Sequence, residues 1–209
     1  RTDRQIDQHQ AATQTGVFSG FLPPIQIELN RLHVRDYTTG SGTQIIQEGD
    51  IMSTLVQQKV DQAVGILQEL GIDLWLTFTR ESRANGDPVL PLIYGHDLTW
   101  QSALILTAGG ERIAILGAYE AETARRSGAY TTILPYHESI KAPLLETLER
   151  LNPAQIALNY SLNDVQADGL PHGLYQVLRE YLRGTPWEGR LASAEKIHSA
   201  LRGRKTPEE

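Results

Sequence analysis

Between Thr79 and Gln101 the chain reads "RESRANGDPVLPLIYGHDLTW", a concentration of side chains able to do chemistry. Arg80, Glu81, Arg83, Asp87, His96, Asp97 and Trp100 fall within this one stretch. An arginine can clamp a carboxylate through two parallel hydrogen bonds, and a tryptophan can wall an apolar pocket beside it. The stretch follows an apolar run, "IDLWLTF", that reads as a strand covered on both faces. The carboxyl ends of such strands are where open α/β sheets place groups that contact ligands. The competing reading is a solvated loop with internal Arg/Asp pairs and Trp100 anchored in the core. A loop of this length without regular structure is uncommon unless it is functional or flexible, so both readings stay open.

Elsewhere the search for chemistry is negative. "GSGTQ" lacks the lysine and the flanking strand of a phosphate loop, and GxGxxG, GxSxG and HExxH are absent. The six histidines are scattered, with no pair four residues apart. His9 and His33 lie in the irregular N-terminal part, while His172 and His198 fall on predicted helices and read as surface or half-buried residues. A metal site needs three or more converging ligands, and local spacing assembles none.

Composition sets the class. The chain has 209 residues, 40% of them apolar and 21% charged, as in a folded globular protein. A formal charge of −6 argues against nucleic-acid or anionic-membrane partners, which select for lysine and arginine. There is no cysteine, hence no disulfide and no thiolate ligand. No apolar run approaches the ~20 residues of a membrane-spanning helix, and no signal-peptide pattern is present. The expectation is a cytoplasmic protein.

The sequence changes character at Met52, its only methionine. Residues 1–51 are rich in Gln and Thr, with a turn-like "TTGSGT" and one alternating patch, Ile25 to Leu29, of strand type. Gln47-Glu48-Gly49 can be encoded by codons containing a bacterial ribosome-binding sequence just ahead of Met52. Residues 1–51 are therefore expected to be poorly structured, either translated leader from an over-extended reading frame or a genuine N-terminal extension.

From Met52 onward the pattern is regular. "STLVQQKVDQAVGILQELG" places Leu55, Val56, Val60, Ala63, Val64, Leu67 and Leu70 at helical spacing, with Gly71 closing the helix. "SALILTAGGERIAILG" reads as a hairpin, with strands Ala103 to Thr107 and Arg112 to Leu116. A short helix then ends at Gly128, and a strand, "AYTTILPY", is stopped by Pro135. A helix with Leu144, Leu145, Leu148 and Leu151 facing inward and a buried strand, "AQIALNY", follow. Asp168 is expected to cap the next helix, with Pro171 in its first turn and Leu174, Val177, Leu178 and Leu182 on its apolar face. A short strand and a last helix finish the pattern. The expectation is an α/β three-layer domain with a mixed β-sheet flanked by helices.

The final letters, "LRGRKTPEE", form a helix start, with Thr206 as N-cap, Pro207 in the first position and acidic residues in the first turn. This ending, with "GIDLWLTFTRES", the hairpin, "YHESIKAPLLETLERLNPAQIALNY" and "SAEKIHSALRGRKTPEE" in order, resembles the N-terminal domain of the creatinase, prolidase and aminopeptidase P superfamily. The resemblance covers about residues 52–209 and is most specific at the ending. It implies a domain over 52–201, and over 202–209 the start of a linker helix to a "pita-bread" catalytic domain beyond Glu209. In that family two aspartates, a histidine and two glutamates of the catalytic domain hold two divalent metal ions (Mn, Co or Zn). None of those positions falls in this sequence, so no catalytic or metal residue is carried over. The resemblance implies a non-catalytic domain of a Xaa-Pro peptidase-like metallohydrolase, serving homodimer assembly and access to the site for a peptide or small amide substrate. By position, Arg80, Glu81, Arg83, Asp87, His96 and Trp100 are the access-loop candidates. The alternative is a free-standing α/β interaction module that binds a partner protein or a small anionic ligand.

Overall fold

A computed structural model describes residues 35–39, 42–46, 48–207 and 209 of the chain. The strand expected at Ile25 to Leu29, and His9 and His33, lie outside the described residues. The first described elements are β1 (Arg35–Thr39) and β2 (Gly42–Ile46), which pair antiparallel, while Gly40 and Ser41 of the turn expected at "TTGSGT" lie outside the described residues. Helix α1 (Glu48–Leu70) begins ahead of Met52, so the change in composition there is not an element boundary. Its far end is set by Gly71 at φ +63°. There Ile72 N donates to Leu67 O at 3.0 Å and Gly71 N to Gln68 O at 3.3 Å, which satisfies the carbonyls of the last turn.

Six strands form one mixed sheet. They are β3 (Leu74–Thr79), β4 (Ser102–Thr107), β5 (Arg112–Gly117), β6 (Thr132–Tyr136), β7 (Ile156–Leu158) and β8 (Leu191–Ser193), in the order β6-β5-β4-β3-β7-β8. Only β4 runs against the rest: β3–β4 and β4–β5 are antiparallel, while β5–β6, β3–β7 and β7–β8 are parallel. All six residues of β3 and all six of β4 are buried, as their unbroken apolar runs require.

The side-chain period of two sorts β3 between two cores. Leu74, Leu76 and Phe78 enter the core shared with α5 (Lys141–Leu151) and α6 (His172–Leu182). Trp75 enters the other, shared with α1, α4 (Ala121–Ser127) and α7 (Glu195–Gly203). Helices therefore cover both faces, and the three-layer α/β architecture expected from the sequence is the one found.

Two local expectations are corrected. Pro135 does not stop a strand but lies inside β6, paired with Leu116. The strand tolerates it because β6 is the sheet edge, where a missing N–H is compatible with the ladder. Asp168 does not cap α6, whose N-cap is Pro171 itself. Its carboxylate instead accepts from Ser161 N at 3.3 Å, tying the loop after β7 to itself.

Candidate functional site

Strands β3 and β7 lie side by side and parallel, yet the chain leaves β3 for β4 on one flank and, only after β6 at the far edge of that flank, crosses back to β7 on the other. Such a switch point leaves a crevice beyond the carboxyl ends of the strands. Two clefts open there. One, of about 490 Å³, lies against Ser82, Asp87, Leu90, His96 and Asp97. The other, of about 670 Å³, is walled by Tyr160, Ser161, Asp168, Gly169, Pro171 and Tyr175. Gly86 and Pro88 border both.

The stretch after β3 is not a structureless loop. It folds into two single-turn helices, α2 (Ser82–Asn85) and α3 (Leu90–Ile93). Ser82 joins the two ends of this segment: its hydroxyl accepts from Leu98 N at 2.8 Å and donates to Asp97 Oδ1 at 3.2 Å. Glu81 takes a left-handed conformation, φ 45°, just before α2. Burial of Val89, Leu90, Ile93, Tyr94 and Leu98 seats the segment on the α1 side of the sheet.

The structure separates the candidates picked out from the sequence. Arg80, Glu81 and Arg83 are exposed, and none of the three forms an ion pair among the described residues. Asp87 and His96 both line the smaller cleft, Asp87 buried and His96 exposed, with its ring 6.2 Å from that of Tyr94. Trp100 is half-buried and packs beside Tyr136, centroids 5.8 Å apart, and Tyr119 at 6.1 Å. Its backbone N–H and that of Thr99 point at Glu120 Oε1, at 3.4 and 2.5 Å. Asp87 and His96 thus share a cleft that neither arginine nor Trp100 lines.

Beneath the clefts lies a polar chain that joins β3, β7, the β3–β4 segment and α7. Trp75 Nε1 donates to Asn159 Oδ1 at 2.5 Å. Asn159 Nδ2 donates to Thr77 Oγ1 at 3.0 Å and to Asp87 Oδ2 at 2.6 Å. The second oxygen of Asp87 accepts from Val89 N at 3.0 Å. Burial pushes the Asp87 carboxyl above the usual range, against the pull of the Asn159 and Val89 hydrogen bonds and of His198. Gly169 backs this carboxylate so closely that a Cβ there would fall 2.2 Å from Asp87 Cγ. The indole of Trp75 meets the ring of His198 edge-on, centroids 5.5 Å apart.

Sequence reasoning named neither Asn159 nor Trp75, and it placed His198 nearer the surface than its full burial allows. One signal was present. In "AQIALNY" the amide follows two residues after Ala157, which faces the α1 side, so the pleat turns Asn159 into the same core. A buried asparagine there requires partners. Among the described residues no three His, Asp or Glu side chains converge in a way that would hold a metal ion.

No protein-family model matches the sequence, and no curated protein matches it either. Solved structures do match in fold. The aminopeptidase P from Streptococcus thermophilus superposes with TM-score 0.51 at 14% identity, over 70% of this chain and 98% of its own. An Xaa-Pro aminopeptidase from Streptococcus pyogenes gives 0.51 at 17% identity, over 72% of this chain and all of its own. The X-Pro aminopeptidase from Thermotoga maritima gives 0.53 at 14% identity, over 70% of this chain but only 36% of its own length. The described α/β unit has the fold of these aminopeptidase domains, the creatinase/prolidase N-terminal fold expected from the sequence.

Proposed function

We propose that the chain is the non-catalytic N-terminal domain of a metal-dependent Xaa-Pro peptidase-like hydrolase, acting in homodimer assembly and in shaping access to the catalytic site. One observation carries this reading. The fold match takes in essentially the whole of two solved chains but only 36% of the Thermotoga maritima enzyme, as one domain of a larger protein would. At Thr206 the backbone N–H donates to Glu209 Oε2 at 2.9 Å and the backbone O accepts from Glu209 N at 3.2 Å, while the Thr206 hydroxyl, expected as the N-cap, has no hydrogen-bond partner among the described residues.

On this reading the two divalent metal ions (Mn, Co or Zn) belong to the catalytic domain, and the substrate is a peptide or a small amide. The exposed Arg80 and Arg83 are the side chains of the β3–β4 segment free to reach a neighbouring subunit's site. The reading includes a cytoplasmic location; no helix among the described residues is long and apolar enough to cross a membrane. The test is to express the complete gene product and assay it on Xaa-Pro dipeptides with Mn²⁺ or Co²⁺ present, measuring its mass in solution alongside. Metal-dependent release of the N-terminal residue by a dimer is the expected result. Absence of any such hydrolysis across a dipeptide panel would overturn the reading.

A further inference from the structure

Leu162 and Val165 are 95% and 79% exposed, two of the four large apolar side chains that face solvent among the described residues. The segment that carries them, Ser161 to Leu170, is nonetheless tied down along its length. The Ser161 hydroxyl donates to the Glu195 carboxylate and accepts from Asn163 N at 3.0 Å and Asp164 N at 2.8 Å. Asp164 Oδ1 accepts from Gln166 N at 2.9 Å, and Asp164 O accepts from Ala167 N at 3.0 Å. Ala167 is fully buried, and Leu170 N donates to Asn159 O at 2.8 Å. Two apolar side chains are thus held out in water by a frame that is already fixed. Such a frame lowers the ordering cost of binding.

Leu162 also lines the larger cleft, of about 670 Å³, together with Tyr160, Tyr175, Pro88 and Pro171. That volume falls in the range of ligand-holding clefts. The two phenol rings lie 6.1 Å apart, inclined at 58°. Such rings give an apolar side chain a surface to pack on, and their hydroxyls can bind a peptide carbonyl. The charge beside them is acidic. The segment holds Asp164 and Asp168 but no lysine or arginine, and Asp168 lines the cleft. Each aspartate accepts one backbone N–H at Oδ1, from Gln166 and Ser161, and neither forms an ion pair among the described residues. Arg202 reaches the cleft border, donating to Pro88 O at 3.4 Å, and pairs with neither of them. His172 lines the cleft too, and its Nε2 accepts from the Gln176 amide at 3.2 Å, as only the neutral ring can.

We propose that this face docks a partner protein through a short segment in which apolar side chains alternate with lysine or arginine. An apolar side chain enters the larger cleft beside Leu162, and the basic ones pair with Asp164 and Asp168. Charge selects this occupant over the others. A nucleic acid or an anionic membrane would meet two unneutralised carboxylates on a chain of formal charge −6. A second copy in a two-fold contact would set the acidic segment against itself. A basic partner gains at the same points where those lose, and electrostatic complementarity of this kind sets specificity and register. None of this depends on the peptidase reading.

The experiment titrates the full chain with the synthetic peptide acetyl-Gly-Leu-Arg-Leu-Arg-Gly-amide and follows backbone amide resonances. Two control peptides carry Glu in place of Arg or Ser in place of Leu. The expected result is saturable shifts confined to the Ser161 to Leu170 segment and the cleft walls, weakening as salt rises from about 50 to about 500 mM. Both controls should bind several-fold more weakly or not at all. Leu162→Ser should weaken binding about tenfold or more, since a leucine loses its burial. Its thermal midpoint should hold, because Leu162 stands in solvent. Asp164→Asn and Asp168→Asn keep the oxygens that accept from Gln166 and Ser161, and each should weaken binding about two- to fivefold. Absence of saturable shifts at the cleft up to about 1 mM peptide overturns the proposal. Equal binding of the acidic peptide, or unchanged binding in Leu162→Ser, overturns it as well. Self-association that Leu162→Ser abolishes would give the face to a second copy, and co-sedimentation with phosphatidylserine vesicles would give it to a membrane; either result sinks the basic-partner assignment.

Discussion

Lys59 Nζ and the Glu209 carboxylate lie 2.5 Å apart, with the ammonium fully buried and the carboxylate side chain 17% exposed. The same ammonium donates to the carbonyls of Leu201 and Arg204, at 3.1 and 2.7 Å, where the last turn of α7 leaves acceptors without partners. One lysine on α1 thus holds the end of α7 and the Thr206–Glu209 contact together.

Glu209→Ala should therefore lower the free energy of unfolding by about 1.5–3 kcal/mol, the usual worth of a hydrogen bond to a charged group. Lys59→Met, similar in volume, should cost about 1–3 kcal/mol because two buried carbonyls lose their donor. Urea denaturation at neutral pH reads both, and a shift below about 0.5 kcal/mol for Glu209→Ala would show that solvent replaces the contact.

The same pair makes a pH prediction. The Lys59 hydrogen bond, aided by Thr206 N and the nearby charges of Lys59 and Lys205, lowers the Glu209 carboxyl from 4.5 to about 2. For a carboxyl depressed in the fold, the stabilisation is present above 4.5 and is lost as pH falls from there toward about 2. Wild type and Glu209→Gln should therefore differ in thermal midpoint near neutrality and converge in strong acid. A gap that stays constant across this range would assign the stabilisation to packing instead of charge.

Trp100 and the two arginines of the same segment should separate cleanly. Trp100 is half-buried beside Tyr136 and against the core of α5 and α6, so Trp100→Ala should cost about 2–4 kcal/mol. Arg80 and Arg83 are exposed, and their replacement by alanine should stay within about 0.5 kcal/mol. On the peptidase reading proposed above, Arg80→Ala and Arg83→Ala in the complete gene product should lower turnover or specificity while stability holds. Unchanged kinetics in both would make the segment mere surface.

Much of the fold was legible because its causes are local. The unbroken apolar run of β3, the Gly109-Gly110 turn between β4 and β5, and the leucines of α5 and α6 each act within a few residues. Gly71 and Gly128 close α1 and α4 for the same reason. What escaped was long-range. Asn159 is separated from Trp75 by 84 positions and from Asp87 by 72, and Lys59 from Arg204 by 145. A lysine on an amphipathic helix reads as solvated until the carbonyls that bury it are in place. Asp87 was chosen as a loop carboxylate open to ligand, whereas its oxygens are occupied by Asn159 and Val89 from within the fold.

Asn159 is the residue on which the cleft floor depends most. Its amide accepts from Trp75 and donates to Thr77 and Asp87, so Asn159→Ala strands an indole N–H, a hydroxyl and a carboxylate at once. Each unmade buried bond costs about 1–3 kcal/mol, which puts the loss on the order of 3 kcal/mol or more. Asn159→Asp should be worse at neutral pH than at mildly acid pH, because it sets a second carboxylate beside Asp87 and one of the two must hold a proton. Gly169→Ala should damage the same spot from behind, since its Cβ would press on the Asp87 carboxylate at 2.2 to 2.5 Å. Denaturation midpoints of the three variants, at neutral pH and near pH 5, test the set together. If Asn159→Asp loses stability equally at both pH values, Asp87 is already protonated in the native protein and the carboxylate pair never forms.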